Sequence, residues 1–190
     1  MTRRLEPETR RAEIIAHTRA MIAEGRAHGI SLRAVARQCG MSTPGLMHHF
    51  PDLSELLDVV LREREDEHAA EIAAALRKAH PNPSLLDLAD VSVRFYADRP
   101  QETRNYDAFE AEAYSPHHPA HRYFTGSAVR PWELTVSLAA QDYPNPEAVV
   151  RVLALVVDGL RSRWLREEDP DYWGDWVEVR DAVFATFRHL

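Results

Sequence analysis

Residues 31–50 read SLRAVARQCGMSTPGLMHHF, and this stretch decides the fold. Leu32, Val35, Ala36 and Cys39 fall at i, i+3, i+4 and i+7, so they form one apolar stripe on a first short helix. Gly40 follows where a helix ends in a left-handed residue, a conformation glycine adopts without steric cost. Ser42 is an N-cap for a second helix, and Pro44 fits a first turn, where the missing N–H has no intrahelical partner anyway. Leu46 and Phe50, spaced i and i+4, bury that second helix. Thr43, Gly45, Met47, His48 and His49 are left for its outer face, which is small at its start, polar and free of acids. A short helix presented in this way suits the major groove of DNA, which admits a helix and is read by its first residues.

The run from Ser31 to Leu56 resembles the helix-turn-helix of the tetracycline-repressor (TetR) family of regulators. The matching residues are the hydroxyl of Ser31, Val35-Ala36, Cys39-Gly40-Met41-Ser42 across the turn, Leu46, His49-Phe50, and Glu55-Leu56 on the next helix. Two positions depart from the family pattern. A phosphate-touching Tyr is usual where this chain has Met47, and a Lys usually opens the following helix where this chain has Leu53. Both changes remove groups that anchor to the DNA backbone. The resemblance implies an all-α protein of about nine helices. Residues 1–51 would be a three-helix DNA-binding domain, and residues 52–190 a helical ligand-binding and dimerisation domain. It also implies a homodimer on a palindromic operator, a small-molecule effector, and most often repression.

Composition fits that reading. Hydrophobic residues make up 45% of the 190, enough for a core, and glycine is scarce at 7, so helix is the default. No apolar run approaches the roughly 18 residues of a membrane span, and the charged start MTRRLEPETRRAEII leads into no apolar signal core. A single cysteine fits a reducing compartment, so the expected location is the cytoplasm. Net charge is −7, yet residues 1–50 hold eight Arg against four Glu, a net of +4, which leaves −11 for the remainder. That asymmetry describes a basic head on an acidic body. The alternative is chance clustering of surface charge.

Along the chain, Arg3 and Arg4 sit on a terminal arm, and a first helix is expected over Pro7–Ala27 with Ile14, Ile15, Thr18, Met21 and Ile22 inward. Asp52 with Glu55 opens a long helix reaching His80, its charged turn at 62–67 facing solvent. Pro81-Asn82-Pro83 breaks the chain, and Ser84 with Asp87 forms the next capping box. Further helices are expected over 101–114, over 118–141 with Pro131 kinking or splitting it, from Asn145-Pro146-Glu147, and from Asp169-Pro170-Asp171 to the end.

The chemistry-bearing residues fall into four groups. For DNA, Thr43, Gly45 and His48 are candidates for base edges or the groove wall, and Ser31, Arg33, Arg37 and His49 for phosphates. Ser42 and Met47 complete that set. For a ligand, Phe95, Tyr106, Phe109, Tyr123, Phe124 and Trp132 with Glu110 could line a pocket, or the aromatics could be ordinary core. For self-association, Val152, Leu155, Val156, Gly159 and Leu160 lie on a helix apolar nearly all round. Paired with Val183, Phe184 and Phe187, they could form a four-helix interface between two copies, or an internal core. His117, His118 and His121 lack a Cys or carboxylate pair at ligand spacing, so no metal is assigned. No cofactor is expected, and neither is an enzyme, since no nucleophile, phosphate loop or carboxylate pair stands out. The competing class is an interaction protein that keeps the head fold with weak or lost DNA binding.

Overall fold

The computed structural model describes residues 6–126, 132–167 and 171–187, and the described residues form ten α-helices and no strand. They are α1 (Pro7–Ala23), α2 (Leu32–Gln38), α3 (Thr43–Met47), α4 (Leu53–Ala79), α5 (Leu85–Ala97), α6 (Pro100–Ala113), α7 (His121–Gly126), α8 (Trp132–Asp142), α9 (Pro146–Arg166) and α10 (Tyr172–Phe187). The extra helix relative to nine arises because the span expected over 118–141 contains both α7 and α8. Pro131, expected to divide it, lies outside the described residues, as do Arg3, Arg4, Asp169 and Pro170.

Local hydrogen bonds account for most helix boundaries. Pro7 stands in the first turn of α1, where its missing N–H costs nothing. The helix stops at Ala23, short of the expected Ala27, because Gly25 turns left-handed at φ +70°. The Gly25 N–H then donates to the Ile22 carbonyl at 3.0 Å and the Arg26 N–H to Met21 at 2.8 Å. Gly40, at φ +63°, ends α2 in the same way, with the Gly40 N–H donating to Arg37 at 3.2 Å and the Met41 N–H to Ala36 at 2.9 Å. The capping side chains of Ser31, Ser42, Ser84 and Asn145 accept from Ala34, Gly45, Asp87 and Ala148. Ser84 and Asp87 form the full reciprocal box. At α4, the Glu55 N–H donates to Asp52 at 2.9 Å.

The chain divides into two compact units. Unit 1 comprises residues up to Glu67 together with Gln101–Ser127, and unit 2 comprises His68–Pro100 together with Ala128–Leu190. Compactness thus groups residues differently from the division expected at residue 51, because α6 and α7 pack in the same unit as α1–α3. The core of unit 1 joins Ile14, Ile22, Val35, Leu46, Phe50, Leu57 and Val60 to Tyr106, Phe109 and Tyr123. The Asn105 amide of α6 donates to the last carbonyl of α1, Ala23, at 2.6 Å. The charged turn at 62–67 is not wholly solvated as the sequence suggested. The Arg64 guanidinium lies 3.4 Å over the Tyr106 ring, and Glu67 pairs with Arg19. An arginine stem buries readily while its planar head stacks on an aromatic face.

Unit 2 is built from the end of α4 with α5, α8, α9 and α10 around Leu85, Val93, Val149, Val150, Trp164, Trp176 and Phe187. Trp164 stacks on Tyr172 with ring centroids 5.1 Å apart. Asp90 ties α5 to α10 by accepting from the Trp176 indole at 2.7 Å and from Arg180 at 2.6 Å. The indole N–H of a buried tryptophan needs such a partner.

Candidate nucleic-acid interface

The helix-turn-helix is α2, the Gly40 turn and α3, braced by α1 and the start of α4. Val35, Ala36, Leu46 and Phe50 are buried, at 0 or 1% exposure, so the apolar stripe points inward as its spacing requires. Arg33, Arg37, Ser42, Met47 and His48 are exposed, with Met47 at 47%. Thr43, Gly45 and His49 are half-buried. The expected outer face of α3 is shorter than the sequence suggested. The helix ends at Met47, and His48 and His49 lie in the turn beyond it. Pro51 follows closely and cannot donate a backbone N–H, so the helix has no continuation. Ser31 and Ser42 are committed as caps, accepting at 3.3 and 3.2 Å. A Cβ on Gly45 would sit 3.1 Å from the Ser42 hydroxyl oxygen, so the glycine gives the cap its room.

One group at the exit of α3 was missed in the sequence. Arg11 of α1 donates to the His49 carbonyl at 2.6 Å, and its guanidinium carbon lies 3.9 Å from the Phe50 ring centroid. The contact spans 38 residues, so no local pattern announces it.

The aromatic residues expected to line a ligand pocket do not fall in one unit. Tyr106, Phe109 and Tyr123 are buried in the core of unit 1, each at 3 or 4% exposure, with Phe124 packed against them. Burial pushes the Tyr106 hydroxyl up to about 12 against the opposing pull of Arg64, and it raises Tyr123 as well. Phe95 belongs to unit 2, where it meets His68 and Tyr96 edge-on and carries the Arg99 guanidinium at 3.8 Å. Glu110 is half-buried on α6. The Trp132 side chain lies outside the described residues. A groove of about 640 Å³ in unit 1 follows α1, lined by Ala12, Ile15 and Ala16 with Arg19, Glu63 and Glu102, and none of the expected aromatics lines it.

The histidines near α7 have separate structural partners. His121 Nδ1 lies 2.8 Å from the Ala113 carbonyl, and His118 Nδ1 accepts from the Ala120 N–H at 3.2 Å. Among the described residues no group of three or more His, Cys, Asp or Glu is placed to hold a metal ion. His28, in the loop after α1, sits with Nδ1 2.7 Å from a Glu112 carboxylate oxygen. The hydrogen bond and charge of Glu112 raise the His28 pKa above its ordinary value. Such a contact adds stability that is complete below the ordinary imidazole pKa and is lost as pH rises through the raised one. The melting temperature of a His28→Gln variant should therefore fall further below wild type at about pH 5.5 than at about pH 8. An equal deficit at both pH values would show that the imidazole charge contributes nothing.

On unit 2, Leu155 is 69% exposed on α9, and Gly159 is exposed, with open space beyond its own helix backbone where a Cβ would be. Val152, Val156, Leu160, Val183 and Phe184 are partly buried, whereas Phe187 is fully buried against Tyr143 and Phe184. Phe187 therefore has no surface to offer a second copy.

Three helices whose second and third form a tight, doubly capped turn define the class, an all-α protein of the helix-turn-helix type. Residues 14–60 match the family model described as bacterial regulatory proteins, tetR family. These residues form the N-terminal module of that family, and the chain folds as TetR-family regulators do. A TetR-family transcriptional regulator from Streptomyces coelicolor is similar over 98% of each chain, at 18% identity and a TM-score of 0.71. The multidrug binding protein EbrR, solved in complex with malachite green, is similar over 91% of this chain and 96% of its own, at 22% identity and a TM-score of 0.63. No curated protein matches the chain at a significant level. No helix among the described residues is long and apolar enough to cross a membrane.

Proposed function

We propose that this chain is a homodimeric, ligand-responsive transcriptional regulator that binds a palindromic DNA operator through α2 and α3 and acts as a repressor. One observation carries the reading. The end of α3 and the turn beyond it offer exposed Met47 and His48 with no acid between Ser31 and Pro51, beside the exposed Arg33 and Arg37 of α2. A helix that merely faced water would carry acids there. Thr43, Gly45 and His48 read base edges or approach the groove wall, and Arg33, Arg37 and His49 hold phosphates. Residues 1–51 are the reading head, and residues 52–190 hold the effector and the dimer contact. The effector is a small molecule, a reading supported by the malachite green complex of a protein sharing the fold. It acts through a difference in its affinity for DNA-competent and DNA-incompetent states.

The test is selection of duplex DNA from a random pool, followed by affinity at several salt concentrations. The expected product is a two-fold symmetric site whose binding weakens steeply with salt. Recovery of no preferred sequence would leave the alternative, a TetR-like interaction protein, in its place. Met47→Tyr adds a phosphate donor at an exposed position and should tighten binding to the selected site about tenfold or more, the worth of one hydrogen bond to a charged group. Unchanged or weaker binding would remove Met47 from the backbone contact.

A further inference from the structure

The α3 helix has five residues, little more than one turn, so its own hydrogen bonds do not repay the cost of nucleating it. Its orientation must be imposed at its ends. At the amino end the Ser42 cap does this. At the other end the chain reaches Pro51, which offers no N–H to the carbonyls of the exit turn. A side chain from another helix supplies a donor there. Arg11 NH1 donates to the His49 carbonyl at 2.6 Å, its guanidinium carbon stands 3.9 Å from the Phe50 ring centroid, and NH2 lies 3.7 Å from Glu55 Oε1. One guanidinium therefore touches the exit of α3, the ring that seals that exit, and the first turn of α4, all from α1. Lysine has neither the planar fork nor the stacking face needed to hold all three.

We propose that Arg11 is a positioning residue for the DNA-reading helix, a guanidinium clamp on the His49 carbonyl and the Phe50 ring that sets how α3 is presented to the duplex. The inference rests on the DNA-binding reading above for its consequence, though the clamp itself is a property of the free protein. Arg11 is assigned a protein contact and not a phosphate contact, because NH1 is committed to the His49 carbonyl and NH2 faces the Glu55 carboxylate.

The probe is the duplex selected by the wild-type protein, and the variants are Arg11→Ala, Arg11→Lys and Arg33→Ala. All are assayed well below their melting temperatures. Arg11→Ala should weaken binding about tenfold or more while leaving the slope of log K against log salt unchanged. Arg33→Ala, which removes a phosphate contact, should lower that slope by about one. Arg11→Lys, which folds with the charge retained, should recover only part of the loss. In the DNA-free protein, Arg11→Ala should speed amide hydrogen exchange at residues 47–50 and leave the buried turns of α1 unchanged. Wild-type affinity in the folded Arg11→Ala variant, or a slope reduced by one, would overturn the proposal. So would unchanged exchange at 47–50, even if no duplex were ever selected. Failure of selection with accelerated exchange would instead refute the DNA reading and leave the clamp standing.

Discussion

Phe50→Ala is expected to destabilise unit 1 by about 3–5 kcal/mol, the cost of emptying a buried phenyl site that cannot fully collapse. Phe50 has no exposed surface and lies in the core cluster with Ile14, Val35, Leu46 and Leu57. Its neighbours belong to α1, α2, α3 and α4, so no single helix can shift to fill the space. The substitution also removes the ring beneath the Arg11 guanidinium, a contact worth about 0.5–1 kcal/mol more. Marginal stability makes this a large fraction of what a unit of this size possesses. Global hydrogen-exchange rates of the α1 amides, read with denaturant titration by far-ultraviolet dichroism, measure the loss. A change below about 1 kcal/mol would mean that Phe50 is not a keystone of the three-helix head.

Leu155→Glu should separate the proposed dimer into single chains and abolish high-affinity binding to a symmetric site. Leu155 is 69% exposed, the most exposed of the large apolar side chains among the described residues, and it shares α9 with Val152, Val156 and Gly159. A two-fold interface uses each contact twice. Burying one leucine contributes about 1.5–3 kcal/mol, so the pair contributes roughly 3–6, and placing two carboxylates in the same apolar patch adds repulsion. The dimer dissociation constant should rise by about a hundredfold or more. Sedimentation at micromolar concentration reads the first effect and titration of the selected duplex the second. A wild-type protein that sediments as one chain would remove the interface, and an unchanged variant dimer would move it away from Leu155.

The helical class, the helix-turn-helix and most caps were legible in the sequence because they depend on partners three or four residues apart. Ser31 to Ala34, Ser42 to Gly45 and Ser84 to Asp87 are all such pairs. Gly40 was legible as a helix end for the same reason, whereas the first helix, expected to reach Ala27, stops at Ala23 before the left-handed Gly25. What the sequence did not disclose is non-local. Periodicity marks Tyr106 and Phe109 as inward-facing but does not say what they face, and they face the core of the head. The hold of Arg11 on His49 spans 38 residues and that of Asn105 on Ala23 spans 82. The burial of Arg64 defeats composition as well, since six consecutive charges read as solvated until an aromatic ring is known to lie beneath one of them.

The turn after α1 carries a further consequence for how relatives of this protein diverge. Gly25 is left-handed, and a Cβ there would come within 3.1 Å of the Asn105 amide oxygen, the same side chain that donates to Ala23. The two positions are thus one steric decision made 80 residues apart. Homologues that replace the glycine should do so with Asn or Asp, which tolerate a left-handed backbone, and should carry a smaller residue at the matching site on α6 and lose the amide bond to the end of α1. Across an alignment the pair should therefore change together, even where the sequence around each has drifted.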